Sequence, residues 1–439
     1  MDRQKNVLAR LGLHRPELRA WAMYDWANSA FATTIITAIF PVYFTAVASA
    51  DLAPGEATRL LARTTTIALG ISAILAPVLG AIADVAPIKK RLLGIFVVIG
   101  SLASGSLFFV LRGDWLFAAI IFAIGNIGFA ASLTIYDSLL PHVASEREID
   151  RVSTAGYALG YLGGGLLLAL NVAWILKPAA FGLRDAGQAS RLSFLSVAIW
   201  WVLFSIPLFR RVPEPGTGAP PRSQSAAALI AAAFRGLAQT LRDLRRYKNA
   251  FLLLVAFVIY SDGINTIIRM ATSYGTEIGI DQSALITAIL LVQFVGIPFA
   301  FLFGMLAGKI GAKTSIFIAL GVYTLISVMG YYMKTERDFY MLALMVAAVQ
   351  GGSQALSRSL FASMIPRDRS SEFFGFFSVF EKFGAIAGPA TFELASAVTG
   401  SSRSAILSVI AFFVVGAVLL ARVNVSEGQR AVHTPNAQA

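Results

Sequence analysis

Two short stretches decide the reading of this chain: GAIADVAPIKKR at residues 80–91 and GMLAGKIGAK at residues 304–313. Each closes a long apolar run, turns over a few residues, presents Lys or Arg, and gives way to another apolar run. One constant offset relates Gly80 to Gly304, Asn126 to Gln350, Gly160 to Gly384 and Gly164 to Gly388. Pro141 and Pro366 each end the fourth run of their half. The pattern predicts an all-α membrane protein made from a duplicated six-span unit.

Composition points the same way. Hydrophobic residues make up 57% and charged residues 14% of the 439, and the mean hydropathy is +0.71. Soluble domains carry about 25% charge. Runs of roughly 17–25 apolar residues mark membrane-spanning helices, and twelve such runs lie between residues 24 and 421. The first is full length and reads as a retained span, not a cleaved leader.

Most of the 36 Lys and Arg fall in alternate turns, which places both termini in the cytoplasm. The net charge of +12 is therefore a topology signal, and nucleic acid is not an expected partner. The chain has no cysteine, and its three histidines, His14, His142 and His433, fall outside the apolar runs. Thiolate chemistry and a histidine relay inside the membrane are excluded. No cofactor or metal is expected, no Walker motif is present, and no catalytic cluster suggests an enzyme. Energy must come from a gradient.

The expected organisation is a six-helix unit over 1–209, a cytoplasmic linker over 210–248, a second six-helix unit over 249–421 and a disordered cytoplasmic tail over 422–439. The linker opens with VPEPGTGAPP, an extended sequence. Residues 226–246 mix leucines at helical spacing with arginines, which suits a helix on anionic lipid of the inner leaflet or a solvated basic linker helix.

The two turns are similar to the major facilitator signature between spans 2 and 3. Gly80, Ala83, Asp84, Lys89 and Lys90 match it, with Ile82 for the usual Leu and Pro87 for the second Gly. Gly304, Leu306, Ala307, Lys309, Gly311 and Lys313 match it in the second half, where Gly308 stands in place of an acid. The opening YDWANSAFATT at 24–34, with Pro41 and SDG at 261–263, resembles the bacterial branch of the vacuolar effluxer-like permeases. The resemblance covers essentially the whole chain. It implies the major facilitator fold, two six-helix bundles rocking about a central site, in a bacterial cytoplasmic membrane. It also implies solute transport, with amino-acid export known for yeast members. The expected protein is a monomeric secondary transporter of a small polar solute, with protons as a candidate coupling ion. A permease for sugars or other polar metabolites and a non-transporting membrane scaffold or receptor are the rivals.

The candidate latch comprises Gly80, Asp84, Lys89, Lys90, Arg91, Gly304, Lys309, Gly311 and Lys313. A carboxylate at a neighbouring helix N-terminus makes a charge-assisted contact that breaks when one face opens. Candidates for substrate or coupling are the polar groups inside spans, where charge is expensive. Asp25 and Asn28 serve as a gate or as a structural network, and Asp137 shares their vestibule. Asp262, Asn265 and Arg269 form one stripe. There Asp262 is the leading proton carrier, unless the stripe is only an internal Asp–Arg pair. Gln350, Gln354 and Arg358 recur one turn apart, with Asn126 as the half-repeat partner of Gln350. Their amides line a cavity or glue helices. Glu381 is a secondary coupling candidate. Gly156, Gly160 and Gly164 read as close-packing surfaces.

Overall fold

A computed structural model describes residues 7–53, 56–85, 88–216, 247–399 and 402–433. The described residues are helical apart from short turns. In chain order the helices are α1 Pro16–Ala48, α2 Glu56–Val85, α3 Lys89–Phe109, α4 Trp115–Val143, α5 Ile149–Leu176, α6 Ala186–Arg211, α7 Lys248–Glu277, α8 Gln282–Ile310, α9 Ala312–Tyr332, α10 Glu336–Ala362, α11 Ser370–Thr399, α12 Ala405–Arg422 and α13 Val425–His433. Eleven helices among the described residues are long and apolar enough to cross a membrane. The 30-residue α11 lies where the sequence pattern puts the eleventh span, and several of its side chains lie outside the described residues.

Local chemistry accounts for the ends. Pro16 opens α1 where its missing N–H costs nothing. Asp185 caps α6 by accepting from the Gln188 N–H at 2.7 Å. Thr335 and Asp338 form a reciprocal capping box at α10. Within α1, the turns flanking Pro41 widen to five-residue hydrogen bonds, as from the Ile39 N–H to the Thr34 carbonyl at 2.8 Å. The proline cannot donate to the regular ladder, and the backbone is satisfied by this wider winding.

Large apolar side chains such as Ile74, Leu102, Ile199 and Val418 face outward, while Ser, Thr, Asp and Arg lie inside. That distribution suits hydrocarbon as the outer solvent. The first six helices pack largely on one another, as α1 on α5 and α6, and α3 on α4 and α6. The last six do likewise, as α8 on α10 and α7 on α11 and α12. Between the two sets run α2–α11, α5–α8, α5–α10 and α4–α11.

Glycine makes the closest approaches. A Cβ on Gly163 would lie 2.5 Å from the Trp26 carbonyl oxygen of α1. Gly80 meets the Ser371 carbonyl of α11, and Gly304 meets Thr154 of α5. Before α1, Arg15 bonds Glu148 and donates to the Val143 carbonyl at 2.9 Å. Partial burial pushes the Glu148 carboxyl up, but hydrogen bonds from Ser145 and the charge of Arg15 outweigh it and hold it below the usual range. This tie is complete above the ordinary carboxylate pKa and is lost as pH falls through the depressed one.

Two expectations need correction. The tail after residue 422 is not wholly disordered, because α13 docks on the bundle. Lys248 pairs with Glu427 at 2.7 Å, and the Asn424 N–H donates to Asn249 at 2.8 Å. His142 is not outside the spans, since α4 continues through Pro141 to Val143. The 226–246 linker segment lies outside the described residues.

Gly163→Val should destabilise the fold by about 1–3 kcal/mol through overpacking against a backbone that cannot retreat. Thermal unfolding of the purified protein, followed by tryptophan fluorescence, checks this; an unchanged midpoint contradicts the packing account.

Candidate functional site

The polar side chains that bridge the two helix sets gather at the end carrying the basic turns. Among them Arg358 of α10 is only 4% exposed. It projects among α1, α4 and α5. Its Nη1 donates to Asp137 Oδ1 at 2.9 Å and its Nη2 to Asp25 Oδ2 at 3.2 Å. Nη2 also donates to the Ser153 carbonyl at 3.0 Å, and Nε to Ser153 Oγ at 2.9 Å. Ser153 Oγ in turn donates to the Ala355 carbonyl at 2.7 Å. The Tyr136 hydroxyl donates to Asp25 Oδ2 at 2.9 Å.

Aromatic rings enclose the guanidinium. Its carbon lies 4.7 Å from the Tyr157 centroid and 4.9 Å from Trp21, and Trp21 stacks on Tyr136 at 4.5 Å. Such faces stabilise a desolvated cation by about 2 kcal/mol. Gly156 makes the room: a Cβ there would strike Asp25 Oδ2 and approach Arg358 Nη2 to 3.1 Å. The first glycine of the α5 stripe therefore vacates space for an ion cluster as well as for a helix.

A second layer lies towards the turns. Asp84 ends α2 against the start of α11. It accepts from the Glu372 N–H at 2.8 Å and the Ser371 N–H at 3.2 Å, and it pairs with Lys89 at 2.8 Å. The first peptides of a helix carry unsatisfied N–H groups and partial positive charge, so a carboxylate fits there. Lys89 also donates to Ser370 Oγ at 2.9 Å and lies 3.2 Å from His142 Nε2. Ser370 donates to the Ser138 carbonyl and Ser371 to Ser138 Oγ, both at 2.9 Å. Ser359 donates to Asp150 at 2.6 Å, and Thr134 meets Ser378 at 2.7 Å.

The structure thus brings together Asp25, Asp137 and Arg358, and separately Gly80, Asp84 and Lys89. Other candidates sit elsewhere. Asn28 is buried on α1. Asn126 donates to the Phe122 carbonyl of its own helix at 2.9 Å. Gln350 and Gln354 are half-buried on α10, and Asn265 half-buried on α7. Asp262 is buried, and its carbonyl accepts from Thr266. The Arg269 side chain lies outside the described residues. Glu381 is exposed.

Among latch candidates, Lys90 contributes its backbone N–H, which donates to Glu214. Arg91 and Lys309 are exposed. Gly311 turns the chain with φ +85°. Lys313 donates to the Ala421 and Val423 carbonyls at the end of α12, within the second helix set. Beside Gly308 sits the Arg151 guanidinium of α5, with Nη2 3.1 Å from the Cβ position. Where the first half sets Asp84, the second half has Gly308 with no side chain, and a cation from α5 of the first helix set lies beside it.

Sequence reasoning missed Trp21, Tyr157, Ser153, His142 and Ser370. Serines carry no periodic signal. The aromatic pair Trp21 and Tyr136 would have emerged from asking what could shield a mid-span arginine.

A family model described as "Vacuole effluxer Atg22 like" matches residues 56–433, leaving α1 outside the match. A Bacillus subtilis protein described as an uncharacterized MFS-type transporter, YxiO, is 37% identical over 404 residues, covering 92% of this chain and 93% of that protein. Autophagy-related protein 22 of Yarrowia lipolytica is 26% identical over 309 residues, covering 64% of this chain. The chain spans about half of that fungal relative, 51% of its length. Among solved structures, the proton:xylose symporter XylE superposes with a TM-score of 0.72 at 16% identity, covering 94% of this chain and 96% of that one. FucP in its outward conformation gives 0.66 at 12%, covering 93% of this chain and 100% of that one. At these identities the structural likeness establishes the major facilitator fold.

Removing Arg358 would leave two buried carboxylates without their cation. Arg358→Ala should cost about 3–5 kcal/mol, and Arg358→Lys should recover little, because an ammonium cannot reproduce the fork. The thermal midpoint checks this against Arg112→Ala, at an exposed ion pair. Equal small shifts contradict the cluster's structural weight.

Proposed function

The chain belongs to the Atg22-like vacuole effluxer family, and we propose that it is a secondary transporter that moves a small polar solute across a membrane by alternating access. The observation that carries this reading is the character of the contacts between α1–α6 and α7–α12. Towards the basic turns they are largely hydrogen bonds and ion pairs, from Arg358 out to Asp84. Hydrogen bonds to charged groups contribute about 1.5–3 kcal/mol each net, because water replaces them when they break. An apolar interlock would resist such exchange.

The finer proposal is a twelve-span protein of two six-helix bundles, residues 1–209 and 249–421, joined by a cytoplasmic linker over 210–248. Both termini are cytoplasmic, and the protein acts as a monomer in a bacterial cytoplasmic membrane with anionic lipid against its basic inner face. Asp84, Lys89, Gly80 and the start of α11 form the inner latch, and Gly304 with Thr154 provides its counterpart without an acid. The solute binds centrally, near Asn28, Asn126, Asp262, Asn265, Gln350 and Gln354. Amides there recognise a zwitterion without burying a further charge. An amino acid moving outward is the favoured cargo, on the strength of the effluxer family. A sugar is the second reading, favoured by the fold shared with XylE.

Purified protein in proteoliposomes should exchange at least one radiolabelled amino acid in a counterflow panel that includes hexoses and pentoses. Amino-acid exchange with no sugar exchange supports the proposal. Sugar exchange alone moves the assignment to the second reading, and no exchange of any solute under any gradient removes the transport function.

A further inference from the structure

The charges around Arg358 do not balance. From α10 comes one guanidinium. From α1 comes Asp25, with Tyr24 behind it, and from α4 come Asp137 and Tyr136. From α5 comes Tyr157. From α11 come Glu381 and Lys382, the remaining charged groups that act on Asp137. Two basic groups therefore face three carboxyls. Glu381 is exposed and keeps its own hydration, whereas the Asp25 and Asp137 side chains are only 11% and 18% exposed. Lys382 and the neighbouring Glu381 act on each other and cancel, so with every group ionised Arg358 alone faces Asp25 and Asp137, and closure of this layer buries one negative charge in excess. Burying an uncompensated charge is strongly unfavourable, so one of the two carboxyls should take up a proton instead.

The hydrogen bonds identify that group. Asp25 Oδ2 accepts from both Tyr136 and Arg358 Nη2, two donors on one oxygen. Asp137 receives its hydrogen bond at Oδ1 from Arg358 Nη1. It is the more exposed of the pair and the one that Glu381 acts upon.

We infer that Asp137 takes up one proton when the helix sets close around Arg358 and releases it when they part. This rests on the alternating-access reading and names its coupling ion and carrier. The step is a simple exchange. The Asp137 carboxylate accepts H⁺ from water on the Glu381 side and becomes a neutral acid in the closed layer. When α10 withdraws Arg358, the carboxyl is rehydrated and the proton passes to water on the opening side.

The absence of native cysteine makes the test direct. Spin labels at Glu146→Cys and Asp368→Cys, which line one cavity between the helix sets, report opening in lipid nanodiscs between pH 5.5 and 8.5. One proton of linkage changes the closed-to-open ratio by up to about tenfold per pH unit. The expected result is a closed population that grows as pH falls in the otherwise wild-type background. Asp137→Asn should be closed throughout and insensitive to pH, while Asp137→Glu keeps the dependence. If Asp137→Asn does not fold, Asp25→Asn serves, since it also removes the excess charge and should abolish the dependence.

A pH-independent distance distribution overturns the inference. So does an unaltered dependence in Asp137→Asn, or its loss in Asp262→Asn alone. A pH-linked opening without solute exchange would leave this inference standing and remove the transport reading. Exchange without pH-linked opening would do the reverse.

Discussion

The polar layer between the two helix sets is arranged around the cost of keeping one guanidinium out of water. Arg358 sits where the surrounding helices are largely apolar, and an unpaired ion there would be unaffordable. Two carboxylates, a serine, a backbone carbonyl and three aromatic faces replace its hydration shell. The partners come from α1, α4 and α5, while the arginine comes from α10. The charge can be satisfied in this way only while the two helix sets are together. A buried ion cluster is poor evidence for stability in itself, because packed apolar residues often do as well. Its value here is that it makes the closed arrangement distinct from any partly open one.

Glycine and proline supply the geometry that this cluster needs. Gly156 leaves the space in which Asp25 and Arg358 meet, and Gly163 lets α5 lie against the α1 backbone. Gly80 lets α2 approach the start of α11 closely enough for Asp84 to reach its first N–H groups. The wide turns flanking Pro41 leave α1 less regular than its neighbours. The result is a scaffold whose helix sets pack closely on one another through glycine and carry a polar layer between them towards the basic turns.

The fold was legible because hydrophobic run length and a repeated turn are properties of sequence. So was the placement of Asp84, since the same turn that names the family also ends a helix with an acid. The meeting of Asp25, Asp137 and Arg358 was only partly legible. Each stood out as a charge in an apolar run, but their convergence depends on the packing of α10 between α4 and α5, which no local pattern encodes. Asn126 shows the limit from the other side: its half-repeat match to Gln350 suggested a shared cavity, and its Nδ2 also donates to the carbonyl one turn back. A short polar side chain in a helix can always bond to its own backbone, so the sequence does not distinguish that use from recognition. His142 was missed because α4 runs through Pro141 to Val143, where a proline would ordinarily end a helix.

The account stands or falls on whether the polar layer between α4 and α11 must part during transport. Ser138 and Ser371 face one another across it with their hydroxyls 2.9 Å apart, a spacing that suits a disulfide between cysteines at these positions. In the cysteine-free background, oxidation of the Ser138→Cys/Ser371→Cys protein should abolish solute counterflow, and reduction should restore it. Undiminished counterflow with the disulfide fully formed would contradict it.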